Sequence, residues 1–251
     1  MKYVFALVGC FFLLSFSVVK INNSWNELML KGKVKTITYL DHSYGAGKEY
    51  LQFKSIVEFD KNGYELSQTN YSPDTIMSIT AHEYKFNSDG NKTEQTQLDE
   101  QERIPGWIKK YTYDKSKRLT ETNRYSQEGK LYQRVVYKYD EKGNNIAQYS
   151  YSGEGGSQGI ELFKYDHKGN LVESHDRGTG DSGSVYTVRY SDKGALLTAH
   201  HEFDGNSFFT KDYIYGQVKY DKTGNWIEMM AIEKNARGID TTIRRRIITY
   251  Y

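Results

Sequence analysis

One short motif recurs along most of the chain and constrains the fold more than any other feature. It is an aromatic residue, usually followed by Asp, two variable positions and Gly, as in Tyr139-Asp140-Glu141-Lys142-Gly143. The aromatic residue falls at Phe59, Phe86, Tyr113, Tyr139, Tyr165, Tyr190 and Tyr220, at spacings of 27, 27, 26, 26, 25 and 30 residues. Seven occurrences at a nearly constant spacing indicate an internal repeat.

The motif predicts a tight turn between two strands. Asp accepts backbone hydrogen bonds from residues further along the turn, and Gly takes the left-handed conformation that produces a bulge. Lys117 stands where the third copy would have Gly, at a cost of about 1 kcal/mol if the backbone is kept. Before each turn, aromatic or apolar residues two apart, such as Tyr137 and Tyr139, share one face of a strand. Stacked across strands, these pairs predict an aromatic ladder as the core.

The Tyr-Asp-x-x-Gly-Asn turn, recurring with aromatic strands, resembles the tyrosine–aspartate (YD) repeats of the RHS family. The tail, with Gly224-Asn225-Trp226 and Arg245–Tyr251, is also similar to the end of small exported proteins of Bacteroidetes. The resemblance covers about residues 50–251. It implies an architecture of repeated hairpins and no particular activity.

These observations predict an all-β fold in one domain, residues 18–251. We expect an antiparallel meander of about seven hairpin repeats, or about 14 to 16 strands, curled by its twist into an open or partly closed sheet. Its first strands are expected at Lys33–Leu40, paired with Tyr50–Phe59, and its last at Thr241–Tyr251. One short amino-terminal helix, about residues 25–31, is expected as a cap, because Ser24 and Glu27 form a capping box and Gly32 is a stop signal.

The amino terminus predicts export. Lys2 precedes an apolar run to Phe16, and small residues then lead to cleavage after Ser17, so residues 1–17 are expected to be a signal peptide. The segment ending in Cys10 also resembles a lipobox, so lipidation at Cys10 is the first alternative and an uncleaved anchor the second. Cys10 is the only cysteine, and ordinary cleavage would leave a mature chain without disulfides. The expected location is the periplasm, outer membrane or cell surface, with membrane contact only through a lipid on Cys10.

The charge balance gives no case for nucleic acid as a partner. The chain has 34 basic and 32 acidic residues with the signs interspersed, whereas nucleic-acid binding usually needs a basic face. The run Arg244, Arg245 and Arg246 is expected to alternate across a strand, so that no face carries all three.

Possible catalytic and metal-binding residues have simpler explanations. Glutamates recur four residues after the turn glycine position, at Glu94, Glu121, Glu173 and Glu228. Glycoside hydrolysis needs two carboxylates, but one Glu per repeat favours pairing with neighbouring strands. His200 and His201 precede Glu202, and neighbours on a strand point to opposite faces. We therefore predict no catalytic residues, no metal site and no cofactor.

Exposed aromatic residues are the better functional candidates. Trp107, Trp226, Tyr151 and Phe208 could stack on sugar rings or partner side chains, although they could also simply fill the ladder. The predicted function is a non-enzymatic protein of the envelope or surface that binds carbohydrate or another envelope protein, through the irregular loops between repeats. The alternatives are an assembly element that pairs through exposed edge strands and a glycan-acting hydrolase.

Overall fold

The structure is a computed structural model that describes residues 23–45, 48–72, 74–99, 105–178, 183–190, 196–203, 210–235 and 238–251. These contain one helical turn, α1 Ser24–Glu27, and sixteen strands: β1 Val34–Gly45, β2 Lys48–Phe59, β3 Glu65–Ser72, β4 Thr75–Phe86, β5 Lys92–Asp99, β6 Pro105–Tyr113, β7 Leu119–Tyr125, β8 Leu131–Tyr139, β9 Asn145–Ser152, β10 Ser157–Tyr165, β11 Leu171–Gly178, β12 Gly183–Tyr190, β13 Leu196–Phe203, β14 Lys211–Tyr220, β15 Trp226–Asn235 and β16 Gly238–Tyr250. Within these residues, no helix is long and apolar enough to cross a membrane.

The sheet is a closed barrel. Consecutive strands pair antiparallel, and β16 pairs with β15 on one side and with β1 on the other, for example Ile248 opposite Ile37. The all-β character agrees with the sequence, but the expected open or partly closed sheet of about seven hairpins is wrong. Seven pairs of consecutive strands, β2–β3 to β14–β15, contain the repeat motifs, and β1 and β16 form an eighth pair that closes the sheet.

The expected helical cap over residues 25–31 is also wrong. The helix is a single turn that ends at Glu27, and Met29 takes a positive φ of 52°. The reason is tertiary packing, because Trp25, Leu28 and Leu30 lie against the buried residues at the start of β1 and the end of β2. A longer helix could not place all three side chains on that surface.

The tight turns have the predicted chemistry. Asp166 Oδ1 accepts hydrogen bonds from the backbone N–H groups of Lys168 at 2.8 Å and Asn170 at 2.9 Å. Lys117 takes a φ of 62° where Gly169 has 84°, so the third turn keeps its backbone without Gly. The pairing register also shifts at the aromatic residue of every motif, at Phe59, Phe86, Tyr113, Tyr139, Tyr165, Tyr190 and Tyr220, as expected for a bulge beside each turn.

The two faces of the wall differ in composition. Side chains alternate along each strand, and the buried ones, such as Val57 and Phe59, define the inward face. The repeat aromatics share that face, and two clusters of buried residues lie among them in the described part of the chain. One cluster comprises Val34, Ile37, Val57 and Phe59, and the other comprises Val188, Ala199, Tyr213, Tyr215 and Ala231.

The outward face carries ion pairs at the recurring glutamates. Glu94 pairs with Lys85 at 2.5 Å, Glu121 with Arg134 at 2.7 Å, Glu173 with Lys164 at 2.5 Å and Glu228 with Lys219 at 2.6 Å. In each pair the two residues lie on adjacent strands. The interpretation of these glutamates as cross-strand pairing elements is therefore confirmed.

Candidate functional site

The amino-terminal segment is attached to the turn end of the barrel on both sides of the β1–β16 pairing, which we call the seam. Trp25 N–H donates to the carbonyl of Gly63 at 3.2 Å, and Asn23 Nδ2 donates to the carbonyl of Asn62 at 2.5 Å. On the other side of the seam, Asn225 exchanges two hydrogen bonds with the backbone of Lys31, at 2.7 and 2.8 Å. The amino-terminal segment thus spans the gap between the Asp60–Tyr64 and Asp221–Asn225 turns.

A small cavity lies on the inner wall formed by β6, β7 and β8. It encloses about 140 Å³ and is lined by Trp107, Lys109, Thr122, Arg124, Gln133 and Val135. Lys109 lies opposite Arg124, and Arg124 opposite Gln133, so these three side chains form one row across the strands. We call this cavity the lumenal pocket.

The repeat itself directs these residues inward. Tyr113 and Tyr111 are the inward aromatic pair of β6, and a period of two places Lys109 and Trp107 on the same face. Sequence reasoning selected Trp107 but missed Lys109 and Arg124. Counting back from each motif tyrosine in steps of two would have found Lys109 as an inward cation.

Aromatic rings hold the cations of this wall in place. The Arg124 guanidinium lies 4.6 Å from the ring centroid of Trp107 and 6.0 Å from that of Tyr132. One row nearer the turns, Lys92 Nζ lies 4.6 Å from the ring of Tyr111, and Lys92 is 8% exposed. Contacts of this kind are worth about 0.5–2 kcal/mol, the higher figure applying when the cation is desolvated.

Hydrogen bonds order the polar side chains beside the pocket. Tyr111 donates to Gln95 Oε1 at 2.6 Å, and Gln95 Nε2 lies 3.2 Å from His82 Nδ1. His82 Nε2 is 3.3 Å from a carboxylate oxygen of Glu65, and the His82 ring is 6.4 Å from Trp107. The wall offers amide, hydroxyl and cationic groups with aromatic surface, which suits binding.

A carboxylate pair lies on another part of the inner wall. Glu161 of β10 is directly opposite Asp176 of β11, and both point inward. Burial, reinforced by the Asp176 carboxylate, raises the pKa of Glu161. This pair was not predicted from the sequence, because neither residue belongs to the recurring glutamates, which point outward.

The structure does not bring the other predicted binding residues together. Trp226 points inward at β15, where the Arg246 guanidinium lies 3.5 Å from its ring centroid. Tyr151 points outward at β9, with Arg134 at 5.8 Å. Phe208 and Cys10, like the expected signal peptide, lie outside the described residues.

Adjacent residues alternate between the faces as predicted. Arg244 and Arg246 point inward, whereas Arg245 points outward and forms hydrogen bonds to Glu49 and, at 2.8 Å, to Glu228. This alternation confirms that no face carries all three arginines.

The histidine pair is divided in the same way. His200 points outward to Asp212, at 2.6 Å, while the ring of His201 lies inside, 4.1 Å from Phe203. Among the described side chains, no three His, Cys, Asp or Glu residues group in a way that could hold a metal ion.

Sixteen consecutive antiparallel strands closed by the first and last define the chain as an up-and-down β-barrel with a polar pocket in its aromatic inner wall. Among solved structures, it is similar to a porin-like protein from Bacteroides uniformis, with a TM-score of 0.57 and 12% identity over 87% of this chain and 98% of that one. At this identity, the likeness establishes the fold alone.

Weaker similarities are to the Photorhabdus luminescens Tc holotoxin pore and to a TcdB2–TccC3–Cdc42 complex. Their TM-scores are 0.39 and 0.40 at 12% and 11% identity, and the matched regions cover 76% and 84% of this chain but only 12% and 15% of those chains. TM-scores this low support no conclusion about the fold or function of this chain. No protein-family model matches the sequence, and no curated protein matches it.

Proposed function

We propose that this chain is an exported, non-enzymatic β-barrel of the cell envelope that binds carbohydrate in its lumenal pocket. The observation that carries the proposal is the position of Trp107 beside the row Lys109, Arg124 and Gln133 on a concave wall. Sugars present apolar C–H surface and many hydroxyls, and they suit a site that combines an aromatic ring with a few fixed polar groups.

The size of the pocket supports a single sugar ring. Its volume is about 140 Å³, and an engineered cavity of about 150 Å³ accommodates benzene. This volume seats one face of a sugar ring, with its outer hydroxyls and the rest of a longer glycan extending along the lumen. The barrel closes every described strand on both sides, so assembly through free sheet edges has no surface to act on.

The charged residues on the outer face of the barrel favour an aqueous environment over a lipid bilayer. A membrane barrel presents an apolar band about 25 Å tall, and Lys or Arg at its middle costs about 2–4 kcal/mol each. Here the outward face carries the ion-paired Lys85, Lys164 and Lys219, which are 74%, 67% and 67% exposed. We place the barrel in the periplasm or at the surface, with the lipid on Cys10, if formed, as its attachment.

A glycan array tests the proposed function. The mature chain is expected to bind a subset of glycans, and Trp107→Ala should weaken that binding at least tenfold. Tyr151→Ala is the matched control, because it removes an outward aromatic that was an equal candidate on sequence grounds. Absence of binding across diverse glycans would overturn the proposal, and loss of binding only in Tyr151→Ala would move the site to the outer face.

The second candidate is an outer-membrane pore, and the fold shared with the porin-like protein is the observation that favours it. Planar-bilayer conductance and flotation with phospholipid vesicles distinguish the outer-membrane pore from the carbohydrate-binding barrel. We expect no conductance steps, and unlipidated protein should stay with the aqueous fraction. Stable conductance steps would support the pore instead.

A further inference from the structure

We infer that the wall of the barrel opens first between β13 and β14, and that protonation of His201 promotes this opening as the pH falls. The inference does not depend on carbohydrate binding. The two strands pair from Thr198 opposite Ile214 to His201 opposite Lys211. These four residue pairs are the fewest that join any two neighbouring strands in the described part of the chain. Local opening is expected where the fewest contacts must be broken.

Two further features weaken this junction. Toward the tight turns, β14 is distorted, because its register against β15 shifts between Gly216 and Lys219 and Gln217 takes a φ of 51°. On the outer face, a cleft of about 500 Å³ lies over the junction. The cleft is also lined by Ala199 and Tyr213, which belong to a buried inner cluster. A single layer of backbone therefore separates the cleft from the inside of the barrel.

His201 makes the junction sensitive to pH. Its ring packs on the inner face, 4.1 Å from the ring of Phe203 and 5.9 Å from that of Tyr186, and it lies directly opposite Lys211. Burial lowers the pKa of His201, and Lys211 and His200 add to that effect. Protonation of His201 places a second cation opposite Lys211 in a partly buried site. Like charges directly opposite each other destabilise a pair of strands.

The inner face around His201 carries charges of both signs. Asp176 acts against the lowering of the His201 pKa, and Glu233 pairs with Lys211 at 3.0 Å, but the net pKa shift of His201 is downward. The described titratable groups on the surrounding strands are Asp176 of β11, Tyr186 of β12, Lys211 and Tyr213 of β14, Glu233 of β15 and Arg244 of β16.

The outer face of the junction acts in the opposite sense. His200 lies 2.6 Å from Asp212, and the two form an ion pair only when His200 is protonated. Both side chains are well exposed, and solvent weakens ion pairs of this kind. The inner pair of His201 and Lys211 therefore determines the direction of the pH effect.

That direction follows from linkage between protonation and opening. When the junction is open, His201 has its ordinary pKa of about 6.5, whereas in the closed barrel burial keeps it neutral to a lower pH. The stability that neutral His201 gives the closed barrel is fully present above about pH 6.5 and is lost as the pH falls toward the folded pKa. Between pH 7.5 and pH 5.5, one such group can raise the open fraction by up to about tenfold.

Protection of a buried thiol tests the inference. The expected mature chain, residues 18–251, contains no cysteine, so Ala199→Cys introduces a single thiol at a position of the junction that is 2% exposed. Thr122→Cys is the matched control, because Thr122 is also 2% exposed but lies on β7. Labelling by a disulfide reagent is measured relative to the urea-unfolded chain at the same pH, which cancels the ionisation of the thiol. The protection of Ala199→Cys should fall about three- to tenfold from pH 7.5 to pH 5.5, while that of Thr122→Cys stays constant.

Two histidine variants assign the effect. In the Ala199→Cys chain, His201→Gln should remove the pH dependence of protection, and His200→Gln should retain it. Protection of Ala199→Cys that does not change with pH would overturn the inference, and so would an equal fall in Thr122→Cys, which indicates loosening of the whole barrel. A pH dependence that survives in His201→Gln would contradict the role of His201. The comparison of the two cysteine variants needs no change at His201, so it remains decisive if His201→Gln does not fold.

Discussion

At the scale of single residues, the motif tyrosine does more than fill the core. The hydroxyls of Tyr113, Tyr139 and Tyr165 donate to the carbonyls of Lys92, Leu119 and Asn145, at 2.8, 2.8 and 2.7 Å. Each acceptor is the first residue of the strand that follows the preceding tight turn, where the bulge disturbs the ladder. The hydroxyl therefore satisfies a carbonyl of the neighbouring repeat, which explains why tyrosine is used more often than phenylalanine.

Tyr139→Phe tests that role. The variant leaves the Leu119 carbonyl without its donor, and a lost hydrogen bond of this kind costs about 1 kcal/mol. Urea unfolding should show that loss, while Tyr132→Phe, at a side chain that is 64% exposed, should change stability little. Equal stability of the two variants would mean that the hydroxyl bond contributes nothing. Burial also raises the pKa of Tyr139 to about 12, so the donor persists well into the alkaline range.

Lys117 offers the opposite experiment. A non-glycine residue at a φ of 62° costs about 1–2 kcal/mol, partly offset by the greater freedom of glycine in the unfolded chain. Its ion pair with Asp89, at 3.5 Å and well exposed, is worth less than about 1 kcal/mol. Lys117→Gly should therefore raise the unfolding midpoint slightly. Lys115→Gly in the same turn should lower it, and a matching decrease in Lys117→Gly would refute the strain argument.

The turn aspartates predict a pH dependence. The Asn170 side-chain amide, opposed by partial burial and assisted by backbone N–H groups, lowers the pKa of Asp166 below its ordinary value of 3.8. A carboxyl whose pKa is lowered by folding contributes stability above its unfolded pKa and loses it as pH falls through the folded pKa. Asp166→Asn keeps the backbone acceptor, as Asn87 does in the second turn, at 2.9 and 3.1 Å. The variant should be less stable than the native chain at neutral pH, and the difference should close as the pH falls through the folded pKa of Asp166. A difference that is constant with pH would exclude this origin.

At the scale of elements, the amino-terminal segment substitutes for a turn. Among the described residues, six tight turns lie at this end of the barrel, beginning at Asp60, Asn87, Asp114, Asp140, Asp166 and Asp221. β1 and β16, in contrast, pair with each other without a turn between them. Asn225 fastens the segment there: its Nδ2 donates to the carbonyl of Lys31 and to the hydroxyl of Tyr250, both at 2.8 Å, and it is 3% exposed. Asn225, the asparagine of the last motif, thus links the amino-terminal segment to the last strand.

Asn225→Ala and Asn170→Ala make a matched pair, because both residues occupy the same motif position. Among the described residues, Asn170 Nδ2 donates only within its own turn, to Asp166 at 2.8 Å, whereas Asn225 Nδ2 donates to the amino-terminal segment and to the last strand. Loss of several buried hydrogen bonds should cost Asn225→Ala about 2–4 kcal/mol, against about 1 kcal/mol for Asn170→Ala. Limited proteolysis should also cut the amino-terminal segment faster in Asn225→Ala alone. Similar losses in both variants would remove the special role of Asn225.

The elements were predictable from sequence to the extent that their signals are local. Each Tyr-Asp-x-x-Gly unit encodes its own turn, bulge and inward aromatic pair, and so the hairpins and even the strained Lys117 followed from the residues. The early end of the helix was not predictable, because Leu28 and Leu30 pack against the buried residues of β1 and β2 instead of continuing the helix. In the pocket, Trp107 was identified by residue type, while Lys109 and Arg124 come from different strands and meet only through register.

At the scale of the whole molecule, closure makes the repeats interdependent. An open array loses stability in proportion to the repeats removed, because each unit contacts only its neighbours. In this barrel the first and last strands pair along their length, from Ser43 opposite Thr242 to Val34 opposite Tyr250. No sequence motif predicts the pairing of β1 with β16, because that pairing depends on the summed twist and register of all sixteen strands.

Deleting β16 should therefore do more than remove one strand. It would expose the edges of β1 and β15 and the inner apolar clusters, and free edges promote aggregation. We expect the truncated chain to lose cooperative unfolding and to associate, as measured by size-exclusion chromatography with light scattering.

A circular permutant is the control. Tyr251 N–H donates to the carbonyl of Lys33 at 3.0 Å, so a flexible linker from Tyr251 to Asn23 with new ends in the Gly153–Gly156 loop retains every strand pair. The permutant should remain monomeric and unfold cooperatively. If the truncated chain did the same, the barrel would behave as an ordinary repeat array, and closure would not be the source of its stability.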